Sequence, residues 1–266
     1  MHLRLLPCSF HRTPGGDGSS PSQPLTSFVL RGAGGTGPLA IDAGSLGLVG
    51  EPEDMAEVRA VLLTHAHIDH IATLPMWIEA LLSQNRAPVK VHATAPTIQA
   101  LRQHFFNNVI FPNFEELAEE DGRRLMQFVE VSTESTFEIA GFQVQGFDVA
   151  HPVPTTGYCV SDGQQAVVFA ADSGPTQRLW EVASALPNVR AIVLETSFPD
   201  RMGHIAEPAG HLTPKLLKTE LEKAPGDVRI LVTHMKPAYR AEIRRAIGKM
   251  NDSRIQFLEP GADVEL

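Results

Sequence analysis

Short apolar runs alternate with longer mixed stretches along this chain, and the alternation predicts strands followed by helices. Ala60-Val61-Leu62-Leu63, Ala166-Val167-Val168-Phe169, Ala191-Ile192-Val193-Leu194 and Ile230-Leu231-Val232 are almost free of polar side chains, as strands buried on both faces tend to be. Residues 142–150 alternate apolar with polar positions instead, the pattern of a half-buried strand. Between such runs, residues 71–84, 94–106, 176–185, 214–223 and 238–248 read as helices. The last but one opens on Thr213-Pro214, an N-cap followed by a proline at the first helical position. Strands separated by helices indicate α/β architecture. Gly32–Gly37 lies between the strands Phe28-Val29-Leu30 and Leu39-Ala40-Ile41 and lacks the GK[ST] ending of a phosphate loop, so it reads as a hairpin turn. No repeat of fixed period and no linker is visible, which makes residues 1–266 one domain, with a loop at Pro14–Pro21 and a charged exposed stretch at Glu115–Arg124.

The polar residues that follow the apolar runs carry the chemistry. Thr64-His65-Ala66-His67-Ile68-Asp69-His70 comes directly after the run at 60–63. Burying these imidazoles and this carboxylate without partners costs several kcal/mol (about 2–7 per group). Both are good ligands for zinc and similar divalent ions. His65 and His67, two apart in extended backbone, point to the same side; Asp69 and His70, past a turn, can meet a second point, which suggests two sites. Later strand ends supply further ligands: His151 after residues 142–150, Asp172 after 166–171 and His234 after 228–233. Strand ends are where α/β folds place active sites.

This ordered set resembles the metallo-β-lactamase superfamily. The resemblance implies an αββα sandwich of class α/β (α+β), with two mixed sheets flanked by helices. It also implies that His65, His67 and His151 hold one ion, that Asp69, His70 and His234 hold the other, and that Asp172 bridges them. Narrower blocks follow: Thr73-Leu74-Pro75, His104-Phe105-Phe106-Asn107 through Phe111-Pro112-Asn113-Phe114, Glu195-Thr196-Ser197-Phe198, Gly210-His211-Leu212-Thr213 and Thr233-His234-Met235-Lys236-Pro237. Together they resemble the class II 3′,5′-cyclic nucleotide phosphodiesterases, with Ile68, Phe111 and Asn113 standing where that family usually has Leu, Trp and Asp.

Two ions about 3.5–4 Å apart clamp the attacking and leaving oxygens of a displacement at phosphorus and provide a hydroxide near neutral pH. The remaining need is a proton for the departing 3′-oxygen. His211 is the candidate donor, supported by Glu195 at the end of the run 191–194. Its alternative role is to cap local structure or to support a ligand. Asp69 is counted with this catalytic pair as well as with the ligands. Asp42, after Leu39-Ala40-Ile41, is placed behind the metal loop; Lys236 is a candidate for the phosphate. His104, Asn107 and Phe111 are candidates for a base or ribose wall, with plain packing an equal alternative.

Charge narrows the partners. Twenty-two Lys and Arg against thirty-one Asp and Glu leave a net charge of −9, the opposite of the basic face that a large nucleic-acid footprint needs. The expected partner is a small cyclic nucleotide, with no extended nucleic acid and no membrane, and a homodimer is left open. The expected cofactors are two divalent ions, zinc first, with manganese or iron as alternatives. Two cysteines exclude a disulfide framework and a CxxC site; with no secretory apolar core and no bilayer-length run, a cytoplasmic protein is expected. The competing readings are an RNA 3′-processing endonuclease of the tRNase Z type, another phosphodiesterase of the same fold, and a metal-binding sensor without catalysis.

Overall fold

The structure is a computed structural model and describes residues 1–8, 24–48, 57–58, 60–85 and 88–266. The loop expected at 14–21 falls outside them. Among the described residues, fourteen strands form two sheets of seven. The first holds β1 (His2–Leu5), β2 (Phe28–Arg31), β3 (Leu39–Ile41), β4 (Ala60–Leu62), β5 (Val89–Ala93), β6 (Met126–Glu130) and, beside β1, β14 (Asp263–Glu265). The second holds β7 (Thr136–Ile139), β8 (Phe142–Asp148), β9 (Thr156–Ser161), β10 (Ala166–Phe169), β11 (Val189–Glu195), β12 (Arg229–Thr233) and β13 (Ile255–Phe257).

Both sheets are mixed, and they share one pairing plan. β1–β2–β3 pair antiparallel and β3–β4–β5–β6 parallel. β8–β9–β10 pair antiparallel and β10–β11–β12–β13 parallel. β14 and β7 extend the two plans at their edges.

Three apolar clusters separate four layers. Leu30, Ile41, Leu62, Val144, Tyr158, Val167, Phe169 and Val193 lie between the sheets. On the outer face of the first sheet, Trp77 and Ile78 of α2 (Leu74–Ser83) and Leu101 of α3 (Ala95–His104) cover Val61 and Val91. On the outer face of the second, Trp180 of α4 (Arg178–Ala185), Leu217 of α6 (Pro214–Leu221) and Ile243 of α7 (Arg240–Gly248) cover Val168, Ile192 and Val232. Helix, sheet, sheet and helix stack as an αββα sandwich. The inner strands are buried on both faces, which is why their sequences are continuously rather than alternately apolar. Thr213 caps α6 by accepting from Leu216 N, with Pro214 at its first position, as the sequence predicts. Among the described residues no helix is long and apolar enough to cross a membrane.

Parallel pairing also fixes where the chemistry sits. β3 and β4 point the same way, so their C-terminal ends deliver Asp42 and the His65–His70 loop to one edge. β10, β11 and β12 do the same for Asp172, Glu195 and His234. The two antiparallel steps from β8 through β9 to β10 restore β8 to that direction, and His151 follows it to the same edge.

Candidate functional site

His65, His67 and His151 offer ligand atoms within 4.8 Å of one another, and so do Asp69, His70, Asp172 and His234. Short α1 (Ile68–Ile71) places Asp69 and His70 in its single turn. The chain makes abrupt reversals to aim these groups: Asp42, Ala171 and His234 adopt left-handed backbone, with φ of 61°, 56° and 58°. Each such residue costs roughly 1–2 kcal/mol, and all three sit directly after strands or one residue before a ligand.

Neighbouring oxygens decide which ring nitrogen is free in His65, His70 and His151. The Thr64 hydroxyl donates to the Asp42 carboxylate at 2.9 Å. Its oxygen is therefore left to accept from His65 Nδ1, 3.0 Å away. His70 Nδ1 donates to Asp42 Oδ2 at 2.7 Å, because a carboxylate only accepts. His151 Nδ1 donates to the Gly210 carbonyl at 3.1 Å for the same reason. The Nε2 atoms of His65 and His70 are buried without a hydrogen-bond partner. His151 Nε2 faces His67 Nδ1 at 3.2 Å. Unpaired buried polar atoms cost about 1–3 kcal/mol each, and a cation held at each of the two groups would remove that cost. Imidazole and carboxylate donors, held by outer partners, are a fitting set for divalent ions.

Asp172 occupies the middle. Its Oδ2 lies 3.3 Å from His70 Nε2 and 4.0 Å from His65 Nε2, while Oδ1 lies 3.5 Å from His234 Nδ1. It therefore lies near members of both groups. Burial works against its charge, but the fields of His234 and His70 and the His70 contact outweigh it and hold Asp172 well below the usual range. Burial likewise opposes the charge on Asp69, where the His234 contact at 3.3 Å and the charges of His70, His234 and Lys236 prevail. Burial, with the repulsion of His70, pushes His65 down; burial also pushes His67 down and His151 down to about 4. These three imidazoles are neutral at neutral pH, the state in which they bind cations. His70 goes the other way: burial lowers it, and Asp172 and Asp42 raise it further than burial lowers it.

A second set of groups adjoins these. His211 Nδ1 donates to Glu195 Oε1 at 2.9 Å, and Glu195 also accepts from Leu212 N at 3.0 Å and from the Ser197 hydroxyl at 2.8 Å. Burial disfavours the His211 cation, but the Glu195 hydrogen bond and charge raise its pKa overall. Ser197 Oγ lies 3.0 Å from His234 Nδ1, so it ties the Glu195–His211 pair to His234. Glu195, His211 and His234 also come within 4.8 Å of one another. Thr64, Ser197 and the Gly210 carbonyl were not singled out from the sequence. Thr64 precedes His65 and Ser197 follows Glu195 by two; those adjacencies were the available signals.

The other expected residues divide. Lys236 Nζ reaches Asp69 Oδ2 at 3.3 Å, and Asp42 supports the loop from behind. By contrast, Phe111 packs edge-on against Phe106 and Phe114 in the first core, and Asn107 Oδ1 accepts from Val109 N and Ile110 N of its own loop. Among the described residues no hydrogen bond, ion pair or ring contact joins His104, Asn107 or Phe111 to the imidazole groups. The segment wraps its aromatics inward under α3, the packing alternative.

Known proteins share this frame. A probable 3′,5′-cyclic-nucleotide phosphodiesterase of Yersinia pestis is 23% identical over 232 residues, 76% of this chain and 65% of that protein. Ribonuclease Z of Pyrococcus abyssi is 25% identical over 104 residues, 38% of this chain and 30% of its own. The chain thus spans less than two thirds of either relative. Unliganded yeast PDE1 superposes over 100% of this chain and 99% of its own, with a TM-score of 0.78 and 19% identity. Residues 45–235 match the family described as the beta-lactamase superfamily domain. That match covers well over half of the sequence and includes each of the His and Asp residues grouped above, so the chain belongs to the metallo-β-lactamase superfamily.

Proposed function

We propose that this protein is a phosphodiesterase that holds two divalent ions and opens 3′,5′-cyclic nucleotides to 5′-monophosphates. The observation that carries the proposal is the Glu195–His211 pair, 2.9 Å apart, beside the two ligand groups. A phosphodiester with an alkoxide leaving group needs both halves of that arrangement. His65, His67 and His151 would hold one ion, Asp69, His70 and His234 the other, with Asp172 between; zinc is the proposed metal. When bound, such a pair supplies an activated water and neutralises the phosphodiester.

The chain's own residues do the rest. Thr64, Asp42, Gly210 and Ser197 orient the ligand imidazoles. Glu195 holds Nδ1 of His211 and raises its pKa, which keeps a proton on Nε2 for the 3′-oxygen. Lys236 adds positive charge at the outer side of Asp69. The cyclic-nucleotide substrate is supported by the Yersinia relative; a small anion needs only local positive charge, which bound ions and Lys236 would supply. Ribonuclease Z supports a second reading, cleavage at an RNA 3′ end, over the shorter stretch it matches. A net charge of −9 disfavours that footprint.

His211→Ala tests the assignment. Turnover of cAMP is expected to fall about 10²–10⁴-fold with the ion content unchanged. A p-nitrophenyl phosphodiester, whose leaving group needs no proton, is expected to lose far less. Equal turnover of cAMP by variant and parent removes His211 from the mechanism.

A further inference from the structure

Phe198 belongs to none of the three apolar clusters, although it is a large half-buried aromatic. Its ring contacts are with His211, at 5.6 Å between centroids, and Tyr239, at 6.4 Å. The backbone around it is pinned: Phe198 N donates to Leu212 O at 3.4 Å, Lys236 N to Ser197 O at 3.2 Å and Tyr239 N to Lys236 O at 2.9 Å. Tyr239, itself half-buried, carries Arg201 over its ring at 5.3 Å, and Glu242 fixes Arg201 at 3.1 Å. The three rings His211, Phe198 and Tyr239 therefore run in series from the Glu195 pair toward the rim. No part of the hydrolytic chemistry uses the last two.

We propose that Phe198 and Tyr239 form a shelf on which the heteroaromatic base of a nucleotide stacks. The inference rests on the phosphodiesterase reading in one respect, the side of the site that it faces. If His211 protonates the leaving oxygen, the sugar bearing that oxygen, and the base on that sugar, lie toward His211 and its outward neighbours. Phe198 is in direct ring contact with His211, within one ring's reach of that position. Lys236, between this shelf and Asp69, suits the phosphate end. A π-face binds any base, each stack being worth roughly 1–3 kcal/mol, so the shelf selects a nucleotide over a base-free phosphodiester and discriminates little between adenine and guanine.

The test compares two product-like ligands, 5′-AMP and ribose 5-phosphate, by calorimetric binding to zinc-loaded protein. Phe198→Ala is expected to weaken 5′-AMP about tenfold, the effect of roughly 1.4 kcal/mol, and to leave ribose 5-phosphate within about twofold. Tyr239→Ala is expected to act in the same direction, and Phe198→Trp to restore 5′-AMP binding. Zinc content and melting temperature of each variant show whether it is folded and loaded. Equal weakening of both ligands, or of neither, overturns the shelf. Turnover of cAMP by the parent protein reports separately on the reaction. If cAMP is not hydrolysed but the base-dependent loss is seen, the cyclic substrate is wrong and the shelf stands, serving a nucleotide at an RNA end.

Discussion

Four imidazoles in this site are oriented by four different oxygens. His65 Nδ1 meets Thr64 Oγ1, His70 Nδ1 meets Asp42, His151 Nδ1 meets the Gly210 carbonyl and His234 Nδ1 meets Ser197 Oγ. Each contact leaves Nε2 as the donor atom for a cation. Asp42 serves two of the four, one directly and one through Thr64. Asp42→Asn keeps the shape but puts an NH₂ where an acceptor stood. If that NH₂ faces His70, Nδ1 must accept and the proton moves to Nε2, the atom meant for the ion. Outer-shell changes of this kind cost about 10–100-fold in affinity, so the variant is expected to lose one of two zinc equivalents on dialysis against a competing chelator. Retention of both equivalents contradicts the orienting role. Glu195 makes a second prediction at this scale. A raised folded pKa means that His211 keeps its proton above the ordinary histidine range, and activity that needs the proton is lost as pH rises through that value. Glu195→Gln removes the main raising influence, so the alkaline limb of kcat against pH is expected to move to lower pH. An unmoved limb separates Glu195 from the proton.

At the scale of elements, the site is a set of strand ends with abrupt turns. The loop after β3 and the segment before β2 both lie against the loop after β4: Ala43 N donates to His70 O at 2.7 Å and Thr26 N to Asp69 O at 2.8 Å. Gly44 permits that approach, since a Cβ there would stand 2.0 Å from Asp69 O, 2.7 Å from Thr26 N and 2.8 Å from Thr26 O. All three are backbone atoms and cannot swing aside. Gly44→Ala is therefore expected to destabilise by about 3 kcal/mol or more, read from denaturant melts, and to displace the Asp69 turn with loss of zinc. A stable variant with two zinc ions means that the loops are less tightly joined than the hydrogen bonds indicate. The strand ends were legible in the sequence because Asp172 and His234 follow apolar runs and His151 follows an alternating one. Ser197, Thr64 and the Gly210 carbonyl were less so. A hydroxyl or a carbonyl becomes an orienting group only through a contact across the fold, and Gly210 is 59 residues from the histidine it holds. The aromatics at 105–114 fit a binding wall or plain packing equally well in one dimension, and in three dimensions Phe106, Phe111 and Phe114 pack with the first core.

For the whole molecule, the two sheets repeat one pairing plan of antiparallel then parallel strands, though no sequence repeat marks it. Pairing order depends on the spacing of apolar runs, which tolerates any branched or aromatic residue, so the plan leaves no residue-by-residue trace. The plan matters because it brings the C-terminal ends of β4 and β8, from different sheets, to one edge, where His65, His67 and His151 meet. The same edge receives the Glu195–His211 pair, and that convergence supports the proposed reaction, in which one site binds a small cyclic phosphodiester and breaks its P–O3′ bond. Its most direct test is hydrolysis of 3′,5′-cAMP in ¹⁸O-labelled water by the zinc-loaded protein, followed by ³¹P NMR. The expected product is 5′-AMP carrying one labelled oxygen on phosphorus. Formation of 3′-AMP, or no product under conditions where a tRNA precursor is cleaved, contradicts it.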